Sequence, residues 1–168
     1  AACLVGMALL FSTAAAETTL HFTFAGDCTL GSEEAKRKQA TSFDSVITEK
    51  GYDWPFANMQ ELFQNDDLTV VNLEGVLSDS NRNENKDKTY RFRGPTAFVD
   101  ILTRSGIEAV NLANNHTQDF GKQGYTATQE TLAAAGVGYF GSRSVYIFEK
   151  DGIKVAFFGL NSTAFNGN

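Results

Sequence analysis

Residues 107–121 read IEAVNLANNHTQDFG, an apolar run followed at once by asparagine, histidine and aspartate. The apolar part, 107–112, is typical of a buried strand, and Asn114, Asn115 and His116 follow it directly. In open α/β sheets, ligand sites lie just beyond the carboxyl ends of the strands. This segment therefore predicts a strand that carries functional side chains at its end.

Two apolar runs upstream end in the same way. The run LHFTFA at 20–25 leads to Asp27, while LTVVNL at 68–73 contains Asn72 and is followed by Glu74. Carboxylate and amide oxygens, with an imidazole nearby, are ligands that hard or borderline divalent cations accept. Each residue alone has a plainer explanation as a turn, a strand end or a helix cap. Their shared position after three strands favours a metal site.

The rest of the chain alternates strand-like runs with amphipathic segments, which is the pattern of an α/β fold. Helical spacing of apolar residues occurs at 55–63, 96–104 and 123–135. Further strands are predicted at 137–140, 145–149 and 154–160, the last two forming a hairpin across Asp151-Gly152. The polar segment 78–88, SDSNRNENKDK, has no apolar period and is predicted to be an exposed loop.

Length and composition indicate one globular domain. The chain has 168 residues, of which 42% are hydrophobic and 20% charged, with 15 Gly and 2 Pro. Its net charge of -6 argues against nucleic acid as a partner, because binding to phosphates needs a basic surface. An anionic substrate would therefore need metal ions to neutralise its charge.

The first sixteen residues are interpreted as a signal peptide for export. Residues 1–16 are apolar and then small, and they end in an A-x-A cleavage pattern before Glu17. A buried N-terminal element and a lipid-modified Cys3 are the weaker alternatives. We expect an exported protein that is periplasmic, extracellular or associated with the cell envelope. We also expect the signal peptide to begin upstream of Ala1, and the mature chain to keep one cysteine, Cys28.

Four motifs identify a family. In chain order they are Gly26-Asp27-x-x-Leu30-Gly31, Asn72-Leu73-Glu74, LANNHTQDFG at 112–121 and Gly152-x-Lys154-Val155-Ala156. They resemble the CapA family of poly-gamma-glutamate capsule biosynthesis proteins, which is similar to the calcineurin-like metallophosphoesterases. The resemblance covers about 19–162, and its asparagine–histidine block is the most specific part.

The resemblance implies a fold and a site. The fold would be a four-layer α/β/β/α sandwich. Asp27, Glu74 and Asn115 match metal-ligand positions, with Asn72 added from its place at a strand end, and His116 matches a catalytic imidazole. The implied cofactors are two divalent metal ions, with Mn, Zn and Fe as the candidates.

Other residues carry alternatives that the sequence leaves open. Asp119 either accepts the second imidazole N–H of His116 or caps a helix that begins near Gly121. Arg93 is predicted to bind an anionic substrate, and for Arg91 a solvated position is an equal alternative. His21 is interpreted as a strand histidine. Cys28 is interpreted as a buried thiol, with a soft metal ligand as the alternative.

The chain also departs from the wider superfamily. Asp27 is followed by Cys28 and Thr29, so the Asp-x-His motif of calcineurin-like enzymes is absent. The chain contains two histidines, His21 and His116, and the later histidine motifs have no counterpart in it. We therefore expect residues 17–168 to be the N-terminal part of a CapA-type domain, continued by a segment with further metal-binding histidines.

Three functions remain open on the sequence. The first is a metal-dependent hydrolase acting on an anionic polymer such as poly-gamma-glutamate, or on its linkage. The second is a secreted phosphoesterase for small phosphate esters. The third is a non-catalytic component of a capsule export assembly, partnered by membrane capsule-synthesis proteins.

Overall fold

A parallel sheet of four strands forms the centre of the computed structural model, which describes residues 17–162. The strands within these residues are β1 (Phe22–Cys28), β2 (Leu68–Leu73), β3 (Val76–Leu77), β4 (Arg93–Gly94), β5 (Ala109–Asn111), β6 (Gly138–Phe140), β7 (Tyr146–Lys150) and β8 (Ile153–Phe157). The α/β class expected from the sequence is confirmed. The predicted signal peptide at 1–16 and the last residues, 163–168, lie outside the described residues.

The sheet order is β1-β2-β5-β6, and every neighbouring pair is parallel. Asp27 lies opposite Asn72, and Asn72 lies opposite Asn111, so three strands carry polar residues at one level near their carboxyl ends. Five of the six residues of β2 are buried, because helices cover one face of the sheet and a hairpin covers the other.

Within the described residues, four α-helices connect the strands: α1 (Phe43–Lys50), α2 (Gln60–Gln64), α3 (Val99–Ser105) and α4 (Gly121–Ala134). Short 3₁₀ helices lie at Glu34–Lys36 and Thr96–Phe98. The larger core cluster joins the strands to the helices, with Leu73 and Val110 from the sheet and Ile101 and Leu132 from α3 and α4. Burial of these side chains away from water is what holds the helical layer to the sheet.

A β-hairpin covers the opposite face of the sheet. Its strands β7 and β8 are antiparallel, and they turn at Asp151 and Gly152, both of which have positive φ, as a type I′ hairpin turn requires. Phe148 and Phe157 pack with Val70 of the sheet in the smaller core cluster. The hairpin therefore adds a second β layer against the parallel sheet.

Gly31 of the first motif and Gly94 of β4 have a packing role. A Cβ at Gly94 would lie 2.1 Å from the Leu30 carbonyl oxygen, and one at Gly31 would lie 2.4 Å from the Arg93 carbonyl carbon. The segments after β1 and around β4 therefore approach too closely for any side chain at these positions. These glycines fix the backbone beside the site.

Most predicted elements occur, with shifted ends. The predicted helix at 96–104 is the 3₁₀ turn plus α3, and the hairpin is present as expected. The helix predicted at 55–63 is wrong over most of its length, because residues 52–59 form turns before the short α2. Helix α1 was not predicted. Within residues 17–162 no helix is both long enough and apolar enough to cross a bilayer.

Candidate active site at the carboxyl edge of the sheet

A hydrogen-bonded series of side chains links the ends of three parallel strands. The Asn72 amide nitrogen donates to Asp27 Oδ1 at 2.8 Å. Asn72 Oδ1 in turn accepts from the amide nitrogens of Asn111, at 2.9 Å, and Asn114, at 3.1 Å. We call these four residues the asparagine relay. It brings the predicted strand ends together, and it includes Asn111, which the sequence analysis did not single out.

Asp27 determines which way the Asn72 amide faces in the relay. An ionised carboxylate only accepts hydrogen bonds, so the NH₂ group of Asn72 must face Asp27 and its oxygen must face the other two asparagines. Both lone pairs of Asn72 Oδ1 are then used by Asn111 and Asn114. The metal-ligand role of Asn72 stays a prediction, and this geometry instead supports a role in holding its neighbours.

Asn114 extends the relay to the turn that carries the histidine. Its amide nitrogen also donates to the Leu73 carbonyl at 2.8 Å, and its Oδ1 accepts the main-chain N–H of His116 at 2.9 Å. Thr117 adds a second tie, because its hydroxyl lies 2.5 Å from the Leu112 carbonyl. The backbone around His116 is therefore fixed against the ends of β2 and β5.

The imidazole of His116 is paired with Asp119. Its Nδ1 lies 2.7 Å from Asp119 Oδ2, and the Phe92 ring packs on it at a centroid distance of 4.7 Å. His116 is 9% exposed and Asp119 is fully buried. Because the carboxylate accepts, the proton is assigned to Nδ1, which leaves Nε2 as the nitrogen that can exchange a proton with a bound group.

Asp119 does not cap the following helix. The residue before α4 is Phe120, and it makes no side-chain cap. The carboxylate of Asp119 instead receives the main-chain N–H of Phe92 at 2.8 Å, together with His116 and the ammonium group of Lys88. Of the two roles left open by the sequence, the structure contains the contact with the imidazole.

Glu74 and Asn115 lie beside this pair. Burial, followed by the charge of Asp27, raises the pKa of the Glu74 carboxyl above its usual value, while the charges of His116 and Lys88 act in the opposite direction. Asn115 is exposed and borders a cleft of about 580 Å³, which is also lined by Asn114, Thr117 and Lys88. The cleft gives a ligand access to the residues around His116.

The donor set fits part of a metal site. The carboxylates of Asp27 and Glu74 with the amide of Asn115 are oxygen ligands suited to a divalent cation. Among residues 17–162, however, no group of three or more His, Cys, Asp or Glu side chains is placed to hold a metal ion. The assignment of Asp27, Glu74 and Asn115 as metal ligands therefore stays a prediction.

Arg93 has intramolecular partners on all three guanidinium nitrogens. Nε and Nη2 lie 3.0 and 2.7 Å from Glu34 Oε2, and Nη1 donates to the Ser78 carbonyl at 2.5 Å. The residue is 6% exposed, and its guanidinium lies over the Phe120 ring. Substrate binding by Arg93 stays a prediction, and the observed contacts are those of a buried structural arginine. Arg91 pairs with Glu84.

Two other candidates lie apart from the cleft or are closed to solvent. His21 is exposed and directly precedes β1, at the opposite end of that strand from Asp27. Cys28 is buried, and burial raises the pKa of its thiol to about 12, which favours the inert thiol over the metal ligand.

The fold and the position of the polar residues together indicate the class of protein. A parallel α/β sheet that collects carboxylate, amide and imidazole groups at its carboxyl edge is of the kind that binds ligands beyond the strand ends. The family is shown by sequence comparison. The chain belongs to the family described as bacterial capsule synthesis protein PGA_cap, whose model matches residues 21–168. The resemblance stated from the motifs is confirmed.

Curated relatives carry related names. The chain is 24% identical over 159 residues to the PGA biosynthesis protein CapA of Bacillus subtilis, covering 90% of the chain and 40% of that protein. It is 24% identical over 124 residues to the capsule biosynthesis protein CapA of Bacillus anthracis, covering 68% of the chain and 30% of that protein. A "probable polyglutamine synthesis accessory protein" of Mycobacterium tuberculosis is 34% identical over 87 residues, or 50% of the chain and 22% of that protein. The chain thus spans less than half the length of these relatives.

Proposed function

We propose that this chain is the N-terminal part of a metal-dependent hydrolase that acts in capsule biosynthesis on an anionic polymer such as poly-gamma-glutamate, or on its linkage. The names of the relatives support the capsule role. The observation that best supports hydrolase activity is the His116–Asp119 pair. This pair lies at the carboxyl edge of the sheet, close enough to Glu74 for its charges to act on the Glu74 carboxyl.

The chain's own residues divide the chemistry between them. His116 Nε2 donates a proton to the leaving oxygen, while Asp119 fixes the ring through Nδ1. Asp27, Glu74 and Asn115 are the residues that would hold the cations. Two divalent ions, with Mn, Zn or Fe as candidates, would polarise the scissile group and lower the pKa of a bound water. Cations are also needed because the chain and the polymer are both acidic.

We extend the proposal to the fold and the location. The hairpin that packs on the free face of the parallel sheet supports a second β layer, as in a four-layer α/β/β/α sandwich. The apolar start of the sequence with its A-x-A pattern supports export to the periplasm, the exterior or the cell envelope. Membrane capsule-synthesis proteins are the proposed partners, and nucleic acid is not one.

Turnover by the full-length protein tests the proposal. The protein is freed of metal with a chelator, reloaded with Mn, Zn or Fe, and given poly-gamma-glutamate or a chromogenic phosphate monoester. We expect turnover of the polymer that disappears with the chelator and returns with one of the metals. If the protein turns over the phosphate ester and not the polymer, its substrates are small phosphate esters instead of the polymer. No turnover with any metal would favour the non-catalytic component of an export assembly.

A further inference from the structure

Lys88 belongs to the polar segment 78–88, most of which is exposed as the sequence predicts, yet its side chain turns inward. The exposed fraction of that side chain is 28%. Its Nζ donates to the main-chain carbonyl of Asn115 at 2.5 Å and to Oδ1 of Asp119. The loop thus supplies a cation that joins the residues on either side of His116.

The burial of Asp119 explains why a cation is needed there. A carboxylate removed from water is costly unless its oxygens are paired. Oδ2 accepts from His116 and from the Phe92 N–H, and the hydrogen bond to Oδ1 comes from Lys88. Without Lys88, Oδ1 loses that donor. The carboxylate is then less firmly held and can rotate away from the imidazole more easily.

The backbone that carries Lys88 is itself held in place. Arg91 Nη1 donates to the Lys88 carbonyl at 2.5 Å, and Arg91 is ion-paired with Glu84 of the same loop. The Asn85 N–H donates to the Asp119 carbonyl at 2.8 Å. Lys88 therefore approaches the site from a braced loop, which makes its position reproducible rather than incidental.

We propose that Lys88 is a positioning residue that locks the His116 ring and the Asn115 peptide in register with the strand ends. Lys88 acts through Asp119 on the ring and through the Asn115 carbonyl on the peptide. What the positioned side chains then do rests on the proposed function, whereas the positioning itself is a property of this chain.

NMR of the ¹⁵N-histidine-labelled full-length protein tests the effect on the ring. The signals of His116 and His21 are assigned by their loss in His116→Gln and His21→Gln, and His21 serves as an internal reference. In Lys88→Met we expect the His116 Nδ1 proton to exchange with water at least about tenfold faster, because the contact that protects it opens more easily. Lys88→Arg keeps a cation and should restore most of the protection.

The matched control is Lys86→Met, which removes an exposed lysine two residues earlier in the same loop. It should leave both histidine signals unchanged. An unchanged exchange rate at His116 in folded Lys88→Met would overturn the proposal.

A second measurement needs no substitution, so it remains decisive if Lys88→Met does not fold. The NH₃⁺ protons of Lys88 should be protected from exchange with water, because two of them are hydrogen-bonded inside the protein. The NH₃⁺ protons of Lys86 should exchange rapidly. Equal exchange at the two lysines would show that the contacts do not form, and the proposal would be wrong.

Turnover separates this inference from the proposed function. In the full-length protein we expect Lys88→Met to lower kcat about tenfold with little change in KM, as for other residues that support a catalytic group. A raised KM with an unchanged kcat would make Lys88 a substrate ligand and overturn the positioning role. If the unmodified protein has no activity, the proposed function fails, and the exchange measurements still decide the role of Lys88.

Discussion

The two ends of the parallel sheet both carry acidic residues, but they use them differently. At the amino end, Glu108 Oε2 accepts the Thr69 N–H at 2.8 Å, and Asp67 accepts the His21 N–H at 2.5 Å and pairs with Lys150. At the carboxyl end, Glu74 instead faces the charge of another carboxylate, that of Asp27.

A raised pKa does not separate the two ends. Burial raises the pKa of Glu108 as it does that of Glu74. The difference lies in which neighbour acts most strongly. Main-chain N–H groups act on Glu108 more strongly than the repulsive charge of Asp66 does, whereas the repulsive charge of Asp27 is the largest effect of a neighbour on Glu74. A carboxylate that its own chain satisfies is a structural group, and one that is pressed against another carboxylate is suited to a cation.

The largest expected effect concerns the two histidines, one at each end of the sheet. In the full-length protein, His116→Gln should lower kcat by about 10²- to 10⁴-fold, because a proton donor is lost. Metal content, measured by elemental analysis, should stay nearly unchanged. His21→Gln is the matched control and should retain full activity. Metal lost in His116→Gln to the same degree as in Asn115→Ala would make His116 a ligand instead of a proton donor.

The second prediction compares the two glutamates. A saturating divalent cation at about 100 times its Kd should raise the free energy of unfolding of the unmodified chain by about 2.7 kcal/mol. Glu74→Gln should lose most of this gain, and Glu108→Gln should keep it. Thermal unfolding with and without the cation is the measurement. If both variants lost the stabilisation by the cation equally, Glu74 would not differ from Glu108 as a cation ligand, and the proposed difference between the two ends of the sheet would be wrong.

The same pair of variants has a defined pH dependence. Because the folded-state pKa of each glutamate is raised, the folded chain holds its proton more tightly than the unfolded chain, and stability falls as pH rises from about the unfolded value through the folded one. Without metal, each glutamine variant should therefore be slightly more stable than the unmodified chain at pH 7. This advantage should shrink below pH 4.5, the usual value for glutamate.

The third prediction compares neighbouring asparagines. Asn114→Ala should lower the free energy of unfolding by about 1 to 3 kcal/mol, because it leaves partly buried relay partners without hydrogen bonds. Asn115→Ala removes an exposed side chain and should change stability by less than about 0.5 kcal/mol. It should weaken metal binding, and added metal should partly restore activity. Urea unfolding and metal titration separate the two. If Asn115→Ala destabilised the protein as much as Asn114→Ala does, Asn115 would also belong to the relay.

The smallest effect is expected at the amino end. The Lys150 ammonium and then the His21 N–H lower the pKa of Asp67 below its usual 3.8, so its stabilisation is complete above that value and is lost as pH falls through the folded pKa. Asp67→Asn should be slightly less stable than the unmodified chain at pH 7, and the two should converge in strong acid. Unfolding curves at pH 7 and pH 2 test this, and a difference that persists at pH 2 would contradict it.

The sheet could be predicted because each of its strands is visible in the sequence as a short apolar run. LTVVNL at 68–73 is apolar on both faces, as a central parallel strand is, and it became β2 without a shift. Helix α1 was missed because it buries a single residue, Ile47, within a stretch that is polar overall. Its start could have been found from Ser42, whose hydroxyl caps the helix by accepting the Ser45 N–H.

The site was predictable in its residues and less so in its connections. Asp27 and His116 could be chosen because each follows an apolar run, and Asn72 because it lies close to the end of a run that Glu74 follows. Asn111 was passed over, although it has the same next-to-last position in the run 107–112 as Asn72 has in 68–73 and lies level with Asn72 in the sheet. Nothing local to Lys88 indicates its contact with Asp119, which is 31 residues away in sequence.

The asparagine relay has a polarity that is fixed from both of its ends. Main-chain groups orient Asn111 and Asn114, because the Ala113 N–H donates to Asn111 Oδ1 and the His116 N–H donates to Asn114 Oδ1. The aspartate of the relay orients Asn72 from the other end with Oδ1 alone, the oxygen that receives the Asn72 amide nitrogen. Oδ2 takes no part in this ordering, so the same side chain can hold Asn72 in place while offering its other oxygen to an incoming ion.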